Sequence, residues 1–177
     1  MVSSCSTRTS SAATASGVSP AIIRTALRCS YYLPLGSWLL AVGARSSAFI
    51  TSDNLSDIPI DERFFNGGSN TVRSFAEREL GPLYEDEYPL GGLSRTIFNA
   101  ELVIPVFSDL KAAVFFDAGN LLAEDSLFST DDFRQAIGAG IRYNLPVGPL
   151  RLDYGYNPSP RPGEASGAFH FSFGFAF

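Results

Sequence analysis

The last nine residues of the chain alternate strictly between aromatic side chains and small or polar ones. A period of two places alternate side chains on opposite faces of a β-strand. One face of this strand would carry Phe169, Phe171, Phe173, Phe175 and Phe177. A soluble sheet rarely needs five phenylalanines on one face of its final strand, so the pattern favours lipid as the solvent of that face. Outer-membrane barrels alternate in this way and carry aromatic girdles at both membrane interfaces.

Charged residues in the rest of the chain follow the same period of two. Within each predicted strand the charges share one face and apolar side chains share the other, as a barrel with a polar lumen requires. The in-phase pairs are Arg24 with Arg28, Arg95 with Glu101, Lys111 with Asp117, Arg134 with Arg142, and Arg151 with Asp153. A soluble β-sandwich or barrel with a polar outer face shows the same alternation and is the alternative.

The connections between the predicted strands alternate in length. Tight turns at residues 34–36, 106–110 and 146–149 separate long connections at 51–91, 120–132 and 157–167. Short periplasmic turns and long extracellular loops are the rule in outer-membrane barrels, which places the C-terminus on the periplasmic side. The sequence therefore predicts an all-β protein with seven strands of a transmembrane antiparallel β-barrel.

An odd strand count has a consequence for domain organisation. Single-chain bacterial outer-membrane barrels have an even number of strands, from eight upward. We therefore expect the chain to be the C-terminal part of a larger barrel. Residues 1–20 are rich in Ser, Thr and Ala and contain no apolar signal-peptide region, so they are predicted to be disordered, with the barrel domain at 21–177.

The connection over residues 51–91 contains the most specific motif. Residues 64–75 read Phe-Phe-Asn-Gly-Gly-Ser-Asn-Thr-Val-Arg-Ser-Phe, with Leu-Gly-Pro following at 80–82 and Gly-Gly at 91–92. This stretch resembles the sixth extracellular loop of the BamA/TamA family of outer-membrane assembly factors, whose barrel is the bacterial surface antigen domain. In that family the loop folds into the barrel lumen and carries a Val-Arg-Gly-Phe or Val-Arg-Gly-Tyr core. Here the motif consists of Gly67, Gly68, Val72, Arg73, Ser74 and Phe75.

The resemblance extends from about residue 30 to the last residue. Blocks at 98–105, 114–120, 138–143 and 149–155, followed by the aromatic terminal strand, match the last strands of the family in order. The resemblance implies that the seven strands are the C-terminal seven of a sixteen-stranded barrel with a long, lumen-inserted extracellular loop. The earlier strands and the periplasmic POTRA domains of the family are not in this sequence.

A role for Arg73 follows from its chemistry and from the resemblance. A guanidinium in a partly dry lumen must be paired, and a carboxylate is its best bidentate partner. Glu101 and Asp117 lie on the lumen parity of adjacent strands, and in the family the corresponding acids receive the loop arginine. Arg73 is therefore expected to pair with Glu101 and Asp117. The alternative is a solvated loop arginine above a wet channel.

The resemblance implies a non-enzymatic function in the bacterial outer membrane, where the chain would assist the insertion or translocation of β-barrel client proteins. In the family the first and last strands pair weakly, so a client strand can add at the seam by β-augmentation. The C-terminal signal strand at this seam would comprise Phe169, Phe171, Phe173, Gly174, Phe175 and Phe177. Expected partners are outer-membrane lipids, client β-barrel proteins, accessory lipoproteins and upstream POTRA domains. The alternatives are the barrel domain of a patatin-like lipase fusion and a passive porin or adhesin.

The composition argues against other classes of function. A net charge of −5 opposes nucleic-acid binding, which needs clustered Lys and Arg. His170 is the only histidine, which excludes a His-cluster zinc site and most catalytic triads. No catalytic residue, metal or cofactor is therefore expected. The acidic residues Asp53, Asp57, Asp61 and Glu62 are interpreted as a solvated loop, and the alternative is a site for calcium or a lipopolysaccharide-linked cation. Cys5 and Cys29 are predicted to be free thiols.

Overall fold

The structure, a computed structural model, describes residues 2–12, 22–50, 58–84, 88–123, 133–145 and 148–173. It contains one antiparallel eight-stranded sheet and one small two-stranded sheet. The large sheet comprises β1 (Val2–Ala12), β2 (Ile22–Leu35), β3 (Trp38–Phe49), β6 (Ser94–Pro105), β7 (Leu110–Leu122), β8 (Arg134–Leu145), β9 (Gly148–Tyr156) and β10 (Gly167–Phe173). The small sheet pairs β4 (Leu83–Tyr84) with β5 (Tyr88–Pro89), and a turn of 3₁₀ helix covers Ile60–Glu62.

The eight strands form a meander in which each strand pairs with the next one along the chain. The order is β1-β2-β3-β6-β7-β8-β9-β10, and the long connection between β3 and β6 holds the small sheet and the 3₁₀ turn. This topology matches the predicted succession of hairpins and long connections. No helix among the described residues has the length and hydropathy to span a bilayer.

The first strand corrects the prediction for the N-terminal segment. The segment 1–20 was predicted to be disordered, but Val2–Ala12 pairs residue for residue with β2, from Val2 opposite Tyr32 to Ala12 opposite Ile22. The sheet therefore has eight strands instead of the predicted seven. A strand is held in a sheet by backbone hydrogen bonds, which do not require an apolar face. Because this strand is rich in Ser and Thr, it lacks the hydrophobic alternation by which the other strands were predicted.

The pairing of β1 with β2 also corrects the prediction for the cysteines. Cys5 lies directly opposite Cys29, with 4.1 Å between their Cα atoms, and a disulfide joins them. The prediction of free thiols was wrong because it treated Cys5 as part of an unpaired segment.

The strand registers keep the predicted parity across the whole sheet. Apolar side chains on one face, here called the outer face, line up from strand to strand, as with Phe116 opposite Ile137 and Leu152 opposite Phe171. These side chains are exposed, and on the outer face they include Val42, Phe98, Val114, Phe116, Ile137, Ile141, Leu152, Tyr154 and Phe171. No second sheet covers this face within the described part of the chain, which distinguishes the fold from a sandwich.

The opposite face, here called the lumen face, is covered by the long loop between β3 and β6. A hydrophobic cluster lies between the loop and the sheet, and its members are Phe49, Ile58, Phe64, Val72, Phe75, Leu80, Leu93, Leu121 and Ala136. The buried core is therefore formed by one loop and one sheet face. This arrangement positions the loop motif against the wall strands.

The C-terminal strand presents its aromatic face outward as predicted. Phe169, Phe171 and Phe173 are 75%, 67% and 56% exposed. Gly174, Phe175 and Phe177, which were predicted to continue this strand, lie outside the described residues. Within the described sheet β10 pairs with β9.

We expect a charge on the outer face of β10 to impair folding into a bilayer. Phe171→Glu would place a carboxylate in hydrocarbon at a cost on the order of 1 kcal/mol or more. Ser172→Glu is the matched control, because Ser172 points to the lumen face and lies opposite Arg151. Urea titration of both variants in phosphatidylcholine vesicles should show a lower midpoint for Phe171→Glu alone. Equal midpoints would contradict the assignment of the two faces.

Candidate functional site

The loop motif is held close to the sheet by its own backbone. Phe64 and Gly92 exchange two hydrogen bonds, with N–O distances of 3.0 and 2.8 Å, and the amide of Gly68 donates to the carbonyl of Phe75. The strand-like bridge at the base and the turn at the tip fold the loop back on itself. Val72, Arg73, Ser74 and Phe75 are all buried as a result.

Glycine at position 67 is required by the shape of the turn. Gly67 has a φ of 95° in the left-handed region, where L side chains are rarely found. A Cβ at this position would also lie 2.6 Å from the carbonyl oxygen of Ala76. Gly68, with a φ of 108°, continues the same turn.

Ser74 occupies the position where the resembling family has glycine. Its φ is not among the positive values of the described residues, so a side chain is accommodated without strain. The Ser74 hydroxyl donates to the backbone carbonyl of Gln135 on β8 at 3.0 Å. The substitution therefore adds a tether between loop and wall.

Arg73 is paired with the two acids that the sequence singled out. Its Nε and Nη2 donate to the two carboxylate oxygens of Asp117 at 2.7 and 2.8 Å, a bidentate arrangement. Its Nη1 donates to Glu101 at 2.6 Å. The side chain is 3% exposed and Asp117 is fully buried, so this pairing occurs away from bulk water. The structure thus brings Arg73, Glu101 and Asp117 together.

The pairing belongs to a larger ion-pair cluster on β6, β7, β8 and β9. Asp153 lies 3.4 Å from Nη1 of Arg73 and also accepts hydrogen bonds from Arg142 and from Nε of Arg151. Arg142 in turn donates to both oxygens of Glu101 at 3.2 Å. The ion-pair cluster therefore contains three arginines and three carboxylates and carries no net charge.

Other groups complete the surroundings of Arg73. Its guanidinium lies 3.4 Å above the centre of the Phe115 ring, and its backbone amide donates to Asp117. Its carbonyl oxygen is 3.0 Å from Nε2 of His170 on β10. Burial lowers the pKa of the guanidinium, but the hydrogen bonds that it donates to Asp117 and Glu101, together with the negative charges of these carboxylates, outweigh burial, so the pKa lies above its ordinary value. The site holds a permanent cation that must remain paired.

The loop can approach the wall strands closely because these strands carry glycine at the points of contact. A Cβ on Gly155 of β9 would lie 2.1 Å from the Arg73 carbonyl oxygen. A Cβ on Gly119 of β7 would lie 2.9 Å from a methyl group of Val72. A glycine within a strand often marks such a close approach. These glycines form the floor on which the motif rests.

Polar wall residues capture several carbonyl groups of the loop. Asn99 donates to the carbonyl of Thr71 at 2.7 Å, and Arg95 donates to that of Phe65 at 2.9 Å. Asn99 also donates to Asp117 and accepts from Arg45, which links the loop tethers to the ion-pair cluster. The loop is attached to the wall along its length, and the arginine is one of several anchors.

The sequence predicted part of this site and missed part. The sequence placed three further residues on the lumen face but did not predict that they belong to the ion-pair cluster around Arg73; they are Asp153, Arg142 and Arg151. Alternation identifies the face on which a residue lies, but it does not show which strands the loop crosses. Gly155 and His170 were missed as loop contacts. Glycines on the lumen parity were the available signal for a backbone approach.

Comparisons with known proteins give a consistent result. The sequence model of the Omp85 superfamily domain matches residues 3–177. The outer membrane protein assembly factor BamA of Nitratidesulfovibrio vulgaris is 31% identical over 138 residues, which cover 75% of this chain and 17% of that protein. The chloroplastic outer envelope protein 80 of Arabidopsis thaliana is 30% identical over 121 residues, which cover 64% of this chain and 15% of that protein. The chain thus spans less than a fifth of the length of these relatives.

A solved structure has the same fold. The crystal structure of BamA from Haemophilus ducreyi lacking POTRA domains 1–3 superposes with a TM-score of 0.69. The match covers 85% of this chain and 34% of that one, at 19% sequence identity. At this identity the likeness shows a shared fold, in which the described sheet corresponds to barrel wall.

We expect Arg73 and Asp117 to be energetically coupled. Arg73→Ala leaves buried carboxylates unpaired, which costs about 3–5 kcal/mol, and loosens the loop. Asp117→Asn in the Arg73→Ala background should cost much less than alone, giving a coupling energy of roughly 1–3 kcal/mol in urea unfolding. The loosened loop of Arg73→Ala should also be cleaved faster by proteinase K. Arg78→Ala removes an exposed arginine of the same loop and is the control, which should leave this cleavage unchanged. Additive effects would argue against the pairing.

We expect Gly155→Ala to displace the loop without altering any charge. The new methyl group would overlap the Arg73 carbonyl, and overpacking of this kind costs about 1–3 kcal/mol. Gly43→Ala is the matched control, since the nearest atom to a Cβ there is 3.9 Å away. Proteinase K digestion should cut the loop faster in Gly155→Ala than in Gly43→Ala. The same cleavage rate in both would mean that the loop does not rest on β9.

Proposed function

The chain belongs to the Omp85 superfamily, and from this membership we propose that it forms the C-terminal barrel part of a factor that inserts β-barrel proteins into an outer membrane. The observation that carries the proposal is the buried Arg73, held by Asp117 and Glu101 at 2.7 and 2.6 Å. A passive channel needs no loop fixed across its lumen face by an ion-pair cluster. A protein that must open the seam beside its last strand while the rest of its barrel wall stays rigid does need such a loop.

The geometry supports different roles for strands β6 to β9 and for β10. The loop ties β6, β7, β8 and β9 together through the ion-pair cluster, so these strands act as a fixed wall. In the described sheet β10 is bonded on one side only, over seven residue pairs with β9. A client strand can then add to the free edge of β10 by backbone hydrogen bonding. In this mechanism Phe169, Phe171 and Phe173 keep the edge strand anchored in lipid.

The contact between His170 and Arg73 connects β10 to the docked loop. Nε2 of His170 lies 3.0 Å from the Arg73 carbonyl, so the motif that holds the wall also reaches the edge strand. Displacement of the loop would remove this contact and leave β10 bonded through its backbone to β9 alone. We propose that loop docking sets how readily the seam opens.

Location and partners follow from the proposal. The outer face would contact membrane lipids, and the clients would be unfolded β-barrel proteins. Accessory lipoproteins and upstream POTRA domains are proposed partners of the longer protein. The bacterial outer membrane is the proposed location, although one similar protein is named as chloroplastic. We propose that the activity is non-enzymatic, since a similar protein is named as an assembly factor and belongs to no enzyme class by that name.

We expect vesicles containing the chain to accelerate the folding of a client barrel. An eight-stranded outer-membrane barrel, added unfolded in urea, should fold faster than in empty vesicles, as measured by the gel shift of folded barrels. Arg73→Ala should abolish most of the acceleration, and Arg78→Ala should retain it. An equal rate with and without the chain would contradict insertion activity. Ion conductance without acceleration would instead support a passive channel.

A further inference from the structure

The connection between β9 and β10, here called the β9–β10 loop, covers residues 157–166 and is folded compactly. At its base the Asn157 amide donates to the Ser166 carbonyl at 2.9 Å. Three prolines stand at every second position, and each ring fixes the φ angle of its residue; they are Pro158, Pro160 and Pro162. The β9–β10 loop is therefore stiff, and a force on one part of it is transmitted to its base.

One carboxylate of this loop points away from solvent. Glu164 lies within a mostly exposed stretch, yet only 24% of its side chain is exposed. Its Oε2 accepts hydrogen bonds from the Arg161 amide at 2.8 Å and from Nδ2 of the buried Asn157 at 3.3 Å. Oδ1 of Asn157 in turn accepts from the Ser159 amide at 3.2 Å. The loop is thus folded around the carboxylate of Glu164.

Arg134, at the start of β8, attaches this carboxylate to the wall. Its Nη2 donates to Oε2 of Glu164 and to the Ser159 carbonyl, the latter at 3.0 Å. The arginine side chain is 10% exposed, so salt screens this ion pair less than it would a pair on the open surface. Neither residue belongs to the ion-pair cluster around Arg73, so the Arg134–Glu164 ion pair is a separate attachment between loop and wall.

Arg134 also contacts the loop motif. Its guanidinium carbon lies 5.7 Å from the centre of the Phe75 ring, within the range of a cation–π interaction. Phe75 belongs to the hydrophobic cluster between the long loop and the sheet. Beside it, the Ser74 hydroxyl donates to the carbonyl of Gln135, the next residue of β8. A single arginine therefore contacts both the loop motif and the β9–β10 loop.

The β9–β10 hairpin meets the loop motif at a second point. Nε2 of His170 on β10 lies 3.0 Å from the Arg73 carbonyl, and Gly155 of β9 leaves room for the same carbonyl. Phe75 is two residues from Arg73 in the motif, and Glu164 is six residues from His170 in the hairpin. Because the β9–β10 loop is stiff and the motif is short, displacement of one of these contacts displaces the other.

We propose that Arg134 and Glu164 are positioning residues that make the loop motif and the β9–β10 loop leave the wall in a single step. With the ion pair formed, one guanidinium holds both Phe75 and the β9–β10 loop. Without it, the loop loses its attachment to β8, and the guanidinium loses the carboxylate that orients it over Phe75. The coupling depends on these contacts alone, whereas its consequence for client insertion rests on the proposed function.

Amide hydrogen exchange of the full 177-residue chain in phosphatidylcholine vesicles tests the coupling. Glu164→Ala removes an acceptor of three hydrogen bonds, so the amides of residues 157–166 should exchange about tenfold faster or more. The amides of Gly68 and Phe75, which are bonded within the long loop, should exchange faster by the same factor. Equal factors indicate one cooperative opening step. Faster exchange confined to residues 157–166 would overturn the proposal, since Glu164 would then stabilise only its own loop.

Further variants separate the ion pair from general effects of charge and folding. Combining Arg134→Ala with Glu164→Ala should raise the exchange rate by far less than the product of the two single factors, because both residues act through one interaction. A factor equal to that product would overturn the proposal. Glu62→Ala is the matched control, since it removes an exposed carboxylate of the long loop and should leave both segments unchanged. Unchanged protection of β2 and β3, which β6 and β7 separate from β8, checks that each variant folds.

The client-folding assay distinguishes this proposal from the proposed function. Glu164→Ala should slow client folding severalfold, because the loop motif is docked for less of the time, and Glu62→Ala should not. Coupled exchange in a chain that does not accelerate client folding at all would contradict the proposed function and still support the role of the ion pair. Uncoupled exchange would overturn that role even in a chain that accelerates client folding.

Discussion

The buried guanidinium of Arg73 is the constraint on which the rest of the structure depends. Removed from water, it is stabilised only if its charge and its donors are matched, and Asp117 and Glu101 supply that match from two adjacent wall strands. Asp153 then needs its own cations, which Arg142 and Arg151 provide. One loop residue thereby fixes the positions of charged side chains on four strands.

The wall has adapted to the loop as much as the loop to the wall. Gly155 leaves room for the loop backbone at Arg73, Gly119 leaves room for the Val72 side chain, and Phe115 provides a ring beneath the guanidinium. The hydrophobic cluster of the molecule also lies between the loop and the sheet. In a protein whose outer face is apolar and open, the inner face has to supply the specific packing that a soluble fold obtains from a second layer.

The lumen face divides into two electrostatic regions. On β6 to β9 the charges cancel, and the resulting network is rigid because each partner holds the next. On β1 to β3 and the start of β6 the charged side chains of the lumen face are arginines, and Arg28 lies directly opposite Arg45. The neutral region suits a structural clamp between the loop and the wall strands.

The sequence by itself determined the strands with a hydrophobic alternation, the face on which each charge lies, and the pairing of Arg73 with Glu101 and Asp117 through the motif's resemblance to a family. These follow from periods of two and from local chemistry, which a linear chain displays. The tertiary structure alone decided that Val2–Ala12 is a strand, that Cys5 meets Cys29, and that Asp153, His170 and Gly155 reach the motif. Those contacts depend on register and on where the loop crosses the sheet. Backbone pairing and loop placement are set by the whole fold, so no local pattern identifies the partners in these contacts.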